Sequence, residues 1–319
     1  MILDVKPIHA SSRNCLEDIL ITAAVYLEYD FDLIFSESWG FNFYPAMKNS
    51  DCILGKRLEA GKNDYLNSLE KYHGLKTRWY YKKSTDEYLL IIKEELDAKR
   101  PVAVFADAFW LPWTKTYKIH HAPHYCLIVG IDENNNFLCL DPYVTKEVNC
   151  LTKNHFISGN AKCFVFEKSH PLTSIYWKEV VENACLGMLG TDLGGYNAFL
   201  YMNNFSDELN NLLNLNSEIN SCPIMFLVPL FLQLLEISNG RSNFASVLKF
   251  LAGNYDAKDL VPYALKLESM SFQWSHVRKK LMSECDSEYK KKLINEAADK
   301  VRAIAKTEEE IARGLLNLC

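Results

Sequence analysis

Cys15, His124 and Asp141 are the side chains whose types and placement point to covalent chemistry, as nucleophile, base and orienter of the base. Cys15 follows three candidate N-caps, Ser11, Ser12 and Asn14. It opens a stretch in which Leu16, Ile19, Leu20, Ala23, Ala24 and Leu27 recur at helical steps, out to about Tyr29. The thiol therefore falls in the first turn of an expected helix, where unpaired N–H groups and the helix dipole favour a thiolate. His124 begins one β-rich run, His124–Ile131, and Asp141 follows the next, Asn136–Leu140; the polar stretch Asp132-Glu133-Asn134-Asn135 joins them. A hairpin there returns the carboxylate to the imidazole and fixes the tautomer whose other nitrogen takes the thiol proton.

Each of the three residues has an ordinary explanation when taken alone. Free cysteine is a common core filler, a lone histidine is usually a satisfied structural residue, and Asp-Pro at 141–142 is a turn signal. Their combination and order carry the catalytic reading. A rival use of His120, His121, His124, Asp107 and Asp141 is a metal site, but no helical His-x-x-x-His or Cys-x-x-Cys supports it. Asp107 ahead of Phe109, Trp110, Leu111, Pro112 and Trp113 is a candidate pocket for an amine. Trp39, Gly40 and Phe41 are candidate substrate contacts, the glycine allowing close backbone approach. The basic runs 278–280 and 290–292 are either a steering patch for an acidic partner or solvated helix faces, and Glu308-Glu309-Glu310 reads as an exposed face.

The elements that position these residues change in kind near residue 170. Before it lie the β-rich runs 77–81, 101–109, 124–131, 136–140 and 163–167, an antiparallel sheet in prospect. After it the runs are helical: 175–189, 195–215, 224–237, 242–251, 258–282 and 287–318, with breaks at Gly194-Gly195, Pro223, Gly240 and Gly253. The reading is an α+β domain over 1–170 and an all-α domain over 171–319, joined between Lys168 and Thr173. With 319 residues, 49% of them hydrophobic, each half can bury a core. A net charge of −5 gives no general pull toward nucleic acid. The apolar stretch 222–235 contains Pro229 and Gln233 and falls short of the ~20 residues that span a bilayer. The N-terminus lacks a secretory signal, and the ten cysteines are scattered, so a cytoplasmic protein with reduced thiols is expected.

The helix-leading cysteine, His124-Tyr125-Cys126-Leu127-Ile128-Val129-Gly130-Ile131-Asp132 and Leu140-Asp141-Pro142 resemble papain-like cysteine enzymes, in the branch shared with bacteriocin-leader-processing peptidases. Arg100 to Asp107, Leu111-Pro112-Trp113, Tyr117 and Ser38 to Phe43 are similar to the N-terminal domain of the butirosin biosynthesis protein H family. This resemblance covers about residues 9–168, and the helical remainder is like a companion domain often attached to that family. It implies a papain-like fold and acyl transfer in specialised-metabolite assembly. Cys15 would accept an acyl or aminoacyl group from the phosphopantetheine thioester of a carrier protein and pass it to a small-molecule amine. No bound cofactor is implied, and a second copy of the chain is a further candidate partner. Papain-like enzymes carry an oxyanion-hole glutamine six residues before the cysteine; here His9 stands there, and His9 and Asn14 are the candidate donors. Two alternatives remain at this point: the same triad acting as a peptidase, amidase or thioesterase, and a non-catalytic carrier-binding module.

Overall fold

The strands in chain order are β1 (Asn42–Phe43), β2 (Leu58–Glu59), β3 (Leu75–Tyr80), β4 (Val102–Asp107), β5 (Pro123–Ile131), β6 (Phe137–Leu140), β7 (Val148–Leu151) and β8 (Lys162–Lys168). The helices are α1 (Cys15–Tyr26), α2 (Tyr65–His73), α3 (Thr85–Asp97), α4 (Lys153–Ser158), α5 (Trp177–Leu189), α6 (Ala198–Asn211), α7 (Asn216–Ile219), α8 (Pro229–Asn254), α9 (Val261–Met282) and α10 (Ser287–Leu316). These come from a computed structural model that describes residues 2–46, 52–61, 63–190, 197–283 and 287–319. The chain divides into two units, Met1–Ile34 with Tyr65–Thr173 and Phe35–Asp64 with Ser174–Cys319. The expected boundary near 170 falls close to this division, but residues 35–64 pack with the helical unit rather than with the sheet.

In the first unit six strands form one antiparallel sheet in the order β3-β8-β4-β5-β6-β7. The hairpin β5–β6 turns at Asp132, whose carboxylate takes the N–H groups of Asn134 and Asn136 while Asn135 adopts a φ of 58°. Its register shifts between Ile128 and Gly130, so that Leu127 faces Leu140 while Ile131 faces Phe137. This bulge decides the face on which the chain beyond β6 emerges, because a one-residue slip in register exchanges the two sides of a strand. Leu127, Ile128, Cys139 and Leu140 are all essentially inaccessible, which pins the register from both faces. Helix α1 packs on β5 and buries Ile19 through Ala24 almost without exception.

The second unit is helical apart from the short pair β1–β2. Phe41 stacks on Trp274 at 5.7 Å, Phe43 meets Phe205 edge-on at 5.3 Å, and Arg57 pairs with Glu208. Those contacts explain why 35–64 belongs here: its aromatic side chains complete a core built by α6, α8 and α9. The expected break at Gly240 does not occur, and α8 runs unbroken from Pro229 to Asn254. The glycine serves close packing instead, since a Cβ there would lie 2.2 Å from the Ser38 carbonyl oxygen. Among the described residues no helix is long and apolar enough to cross a membrane.

Candidate active site

Cys15 is the first residue of α1, and its helix start is capped from both sides. Asn14 Oδ1 accepts from the Glu17 N–H at 3.0 Å, and the Glu17 carboxylate accepts from the Asn14 N–H at 2.9 Å. The Asn14 carbonyl oxygen of its side chain is thus committed to the cap. Glu17 is fully buried and also accepts from the Tyr65 hydroxyl, which ties the cap to α2. Cys15 itself is half-buried. By contrast the Cys163 and Cys185 thiols are buried and pushed up to about 12 by desolvation, the behaviour of inert core thiols.

His124 lies near the start of β5 and Asp141 directly after β6, and His124 Nε2 is 2.6 Å from Asp141 Oδ2. With Nε2 so occupied, Nδ1 is the ring nitrogen left for another partner, and Cys15 is among the groups that favour the charged imidazole. Asp141 has no accessible surface, and its Oδ2 also accepts the Trp113 indole N–H at 2.7 Å. Its Oδ1 accepts the Val144 N–H at 3.3 Å. Burial alone would discharge His124, yet hydrogen bonds to Asp141 and Cys15 outweigh it and lift the imidazole to about 10. The histidine therefore holds its proton in the folded protein, with the buried Asp141 carboxylate behind it.

His9 enters the same neighbourhood from the N-terminal segment. Its Nδ1 lies 2.5 Å from Oδ2 of Asp18, which has no accessible surface and follows Cys15 on α1 by one turn. Burial pushes the Asp18 carboxyl up, against the hydrogen bond to His9. The ring of Tyr143 stands 5.8 Å from that of His9 and 6.2 Å from that of His124, so one tyrosine touches both histidines.

The remaining candidates lie elsewhere. Asp107 accepts from the N–H groups of Phe109 and Ala122 and pairs with His121 at 2.5 Å, which occupies both oxygens in building the loop after β4. Burial opposes its charge, but these bonds hold the carboxyl below the usual range. Trp110 lies under the Lys118 ammonium at 3.3 Å. Trp39 and Phe41 are buried in the helical unit, and Gly40 allows backbone approach, not of a ligand but of Ala60 and Gly61. The rival metal set separates into His121–Asp107 and His124–Asp141, and no described group of three or more ligating side chains could hold a metal.

The basic runs are largely occupied. Lys290 donates to the carbonyls of Leu281 and Ser283 at the end of α9, Lys291 to those of Asn210 and Leu212 at the end of α6, and Lys280 pairs with Glu296. Glu308 is the opposite of an exposed residue, for it is wholly buried on Arg241.

Trp113, Asp18 and Tyr143 are the contributors that pattern reading does not find, because each meets its partner across the chain. The one available signal was composition: Asp18 follows the capping Glu17 at the head of a helix whose next residues are almost all apolar, and a carboxylate buried there has to be paired. No curated protein matches the chain. Residues 12–142, the span that holds Cys15, His124 and Asp141, match the family model described as butirosin biosynthesis protein H, N-terminal.

Proposed function

We propose that the chain is an acyltransferase of natural-product assembly that works through a thioester on Cys15. The observation that carries this reading is the pairing of His124 with the buried Asp141 at 2.6 Å, together with a half-buried thiol at the N-terminus of α1 that favours the charged imidazole. Support for a biosynthetic setting comes from the description of the matching family, which names butirosin biosynthesis.

The Cys15 thiolate attacks the carbonyl carbon of a phosphopantetheine thioester carried by a partner protein. Backbone N–H groups at the start of α1 face the oxygen that becomes negative. His124 then gives its proton to the departing pantetheine sulfur, and the acyl group rests on Cys15. Exchange of one thioester for another is nearly thermoneutral, so the later amide bond supplies the driving force. An amine attacks the Cys15 thioester, His124 recovers a proton, and the thiolate–imidazolium pair is restored.

Intact-mass spectrometry with acyl-loaded carrier proteins tests the proposal. A mass increase on the wild type that vanishes in Cys15→Ala and discharges onto added amines supports transfer. Discharge onto water alone, at the same rate with or without amine, would assign a hydrolase, and no adduct with any thioester would contradict the enzyme.

A further inference from the structure

Acyl transfer to an amine poses a proton problem that one histidine does not solve. An aliphatic amine is an ammonium ion near neutral pH. It must lose one proton before its nitrogen has a lone pair to use, and a second once that nitrogen has bonded to the acyl carbon. His124 has room for one, because in the proposed cycle discharge returns it to the imidazolium. Transfer to water has no such surplus, since water attacks with its lone pair already free.

Resting on the acyltransferase reading, we propose that His9, oriented by Asp18, is a second catalytic base, and that the acceptor is a cationic amine whose ammonium meets His9 Nε2. Asp18 Oδ2 lies 2.5 Å from Nδ1, so a neutral His9 keeps its proton on Nδ1 and turns a lone pair outward at Nε2. In that tautomer His9 takes a proton and does not donate to an oxyanion, which leaves that task to the backbone of α1. Asp18 shares a face of α1 with Cys15, and the ring of Tyr143 stands 5.8 Å from that of His9 and 6.2 Å from that of His124, so one aromatic side chain links the two histidines on the Cys15 side of the helix start. The His9 side chain is 40% exposed, which opens a route for its proton to solvent, while the Asp18 side chain has no exposure. The buried carboxylate attracts the incoming ammonium and stabilises the imidazolium that its proton creates; Arg13, whose field also falls on Asp18, is the competing cation.

The step balances as follows. R–NH3+ yields one proton to His9 Nε2, and the freed electron pair bonds to the carbonyl carbon of the Cys15 thioester. The second proton passes to His124 as the carbon–sulfur bond breaks and its electron pair returns to Sγ. The products are the amide, the Cys15 thiolate beside imidazolium His124, and imidazolium His9, which sheds its proton to water.

The experiment uses the full chain charged with an acyl N-acetylcysteamine thioester at pH 7. Discharge is then timed with n-butylamine, which is an ammonium ion at that pH, and with hydroxylamine, which is neutral. His9→Asn and His9→Gln are expected to acylate Cys15 at the wild-type rate, to lose about 10²–10⁴-fold toward butylamine, and to lose less than about threefold toward hydroxylamine. Raising the pH should restore part of the butylamine rate in both variants. Equal losses toward both nucleophiles, slowed acylation, or recovery in His9→Gln alone would overturn the second-base role and point to oxyanion binding or positioning. Absence of an acyl-enzyme on the wild type would overturn the acyltransferase reading and the His9 role with it, a result distinct from all of the former.

Discussion

Two buried carboxylates, one in each unit, are held by the same kinds of partner and do different work. Asp141 accepts from a tryptophan indole and pairs with His124; Glu308 accepts from two, Trp39 and Trp274, at 2.9 Å each, and pairs with Arg241. The difference lies in what the cation has left over. Arg241 spends Nε and one terminal nitrogen on Glu308 and the other on the carbonyls of Gly40 and Ile237, with no surface exposed. His124 spends only Nε2 on its carboxylate and keeps its other ring nitrogen out of that pair. A closed network fixes a core, whereas the same network with one nitrogen left over is what the proposed proton transfer requires.

The largest effects should come from breaking the open network. His124→Ala is expected to lower turnover by about 10⁴–10⁶-fold and Asp141→Asn by about 10⁴-fold, with melting temperatures that show the fold intact; steady-state rates on an acyl thioester check this. In the closed network the consequence moves from rate to stability. Glu308→Ala leaves Arg241 charged and unpaired, so denaturant titration should show a loss of about 3–5 kcal/mol, while Cys15 alkylation per folded molecule stays unchanged. Replacing both partners by Glu308→Leu with Arg241→Met should recover much of that loss, because the penalty comes from the abandoned charge.

How far these two networks could be read from sequence differs for a physical reason. Asn14, Cys15 and Glu17 are close neighbours along the chain, and His124 and Asp141 are separated by a single hairpin, so local caps and alternation disclose them. Trp113 reaches Asp141, and Trp39 reaches Glu308, through tertiary packing alone, and no periodicity records such a meeting. Glu308 was misleading because a run of three glutamates has the composition of a solvated face, although helical geometry turns only some of its members outward. Residues 35–64 misled similarly, since position along the chain suggested one unit and aromatic packing chose the other.

Smaller effects sharpen the comparison. Trp113→Phe removes one hydrogen bond to a buried carboxylate, worth about 1.5–3 kcal/mol, and should slow turnover roughly tenfold while Cys15 still forms its adduct. The two networks should also part company with pH. His124 at about 10 in the folded protein lies above its ordinary 6.5, so its contribution to stability is complete below pH 6.5 and is lost as pH rises through 10. Arginine keeps its charge over that range. Hydrogen exchange between pH 7 and 10.5 should therefore loosen around β5 and β6 before it loosens around α8 and α10.

Site-resolved alkylation of Cys15 by iodoacetamide as a function of pH tests the thiolate–imidazolium pair most directly. The pair predicts a labelling rate that is already high at pH 6.5, nearly level to pH 9 and altered only as His124 titrates near 10, with His124→Ala reverting to the profile of a lone thiol. A wild-type rate that climbs tenfold per pH unit toward about 8.5, identical to that of His124→Ala, would contradict it.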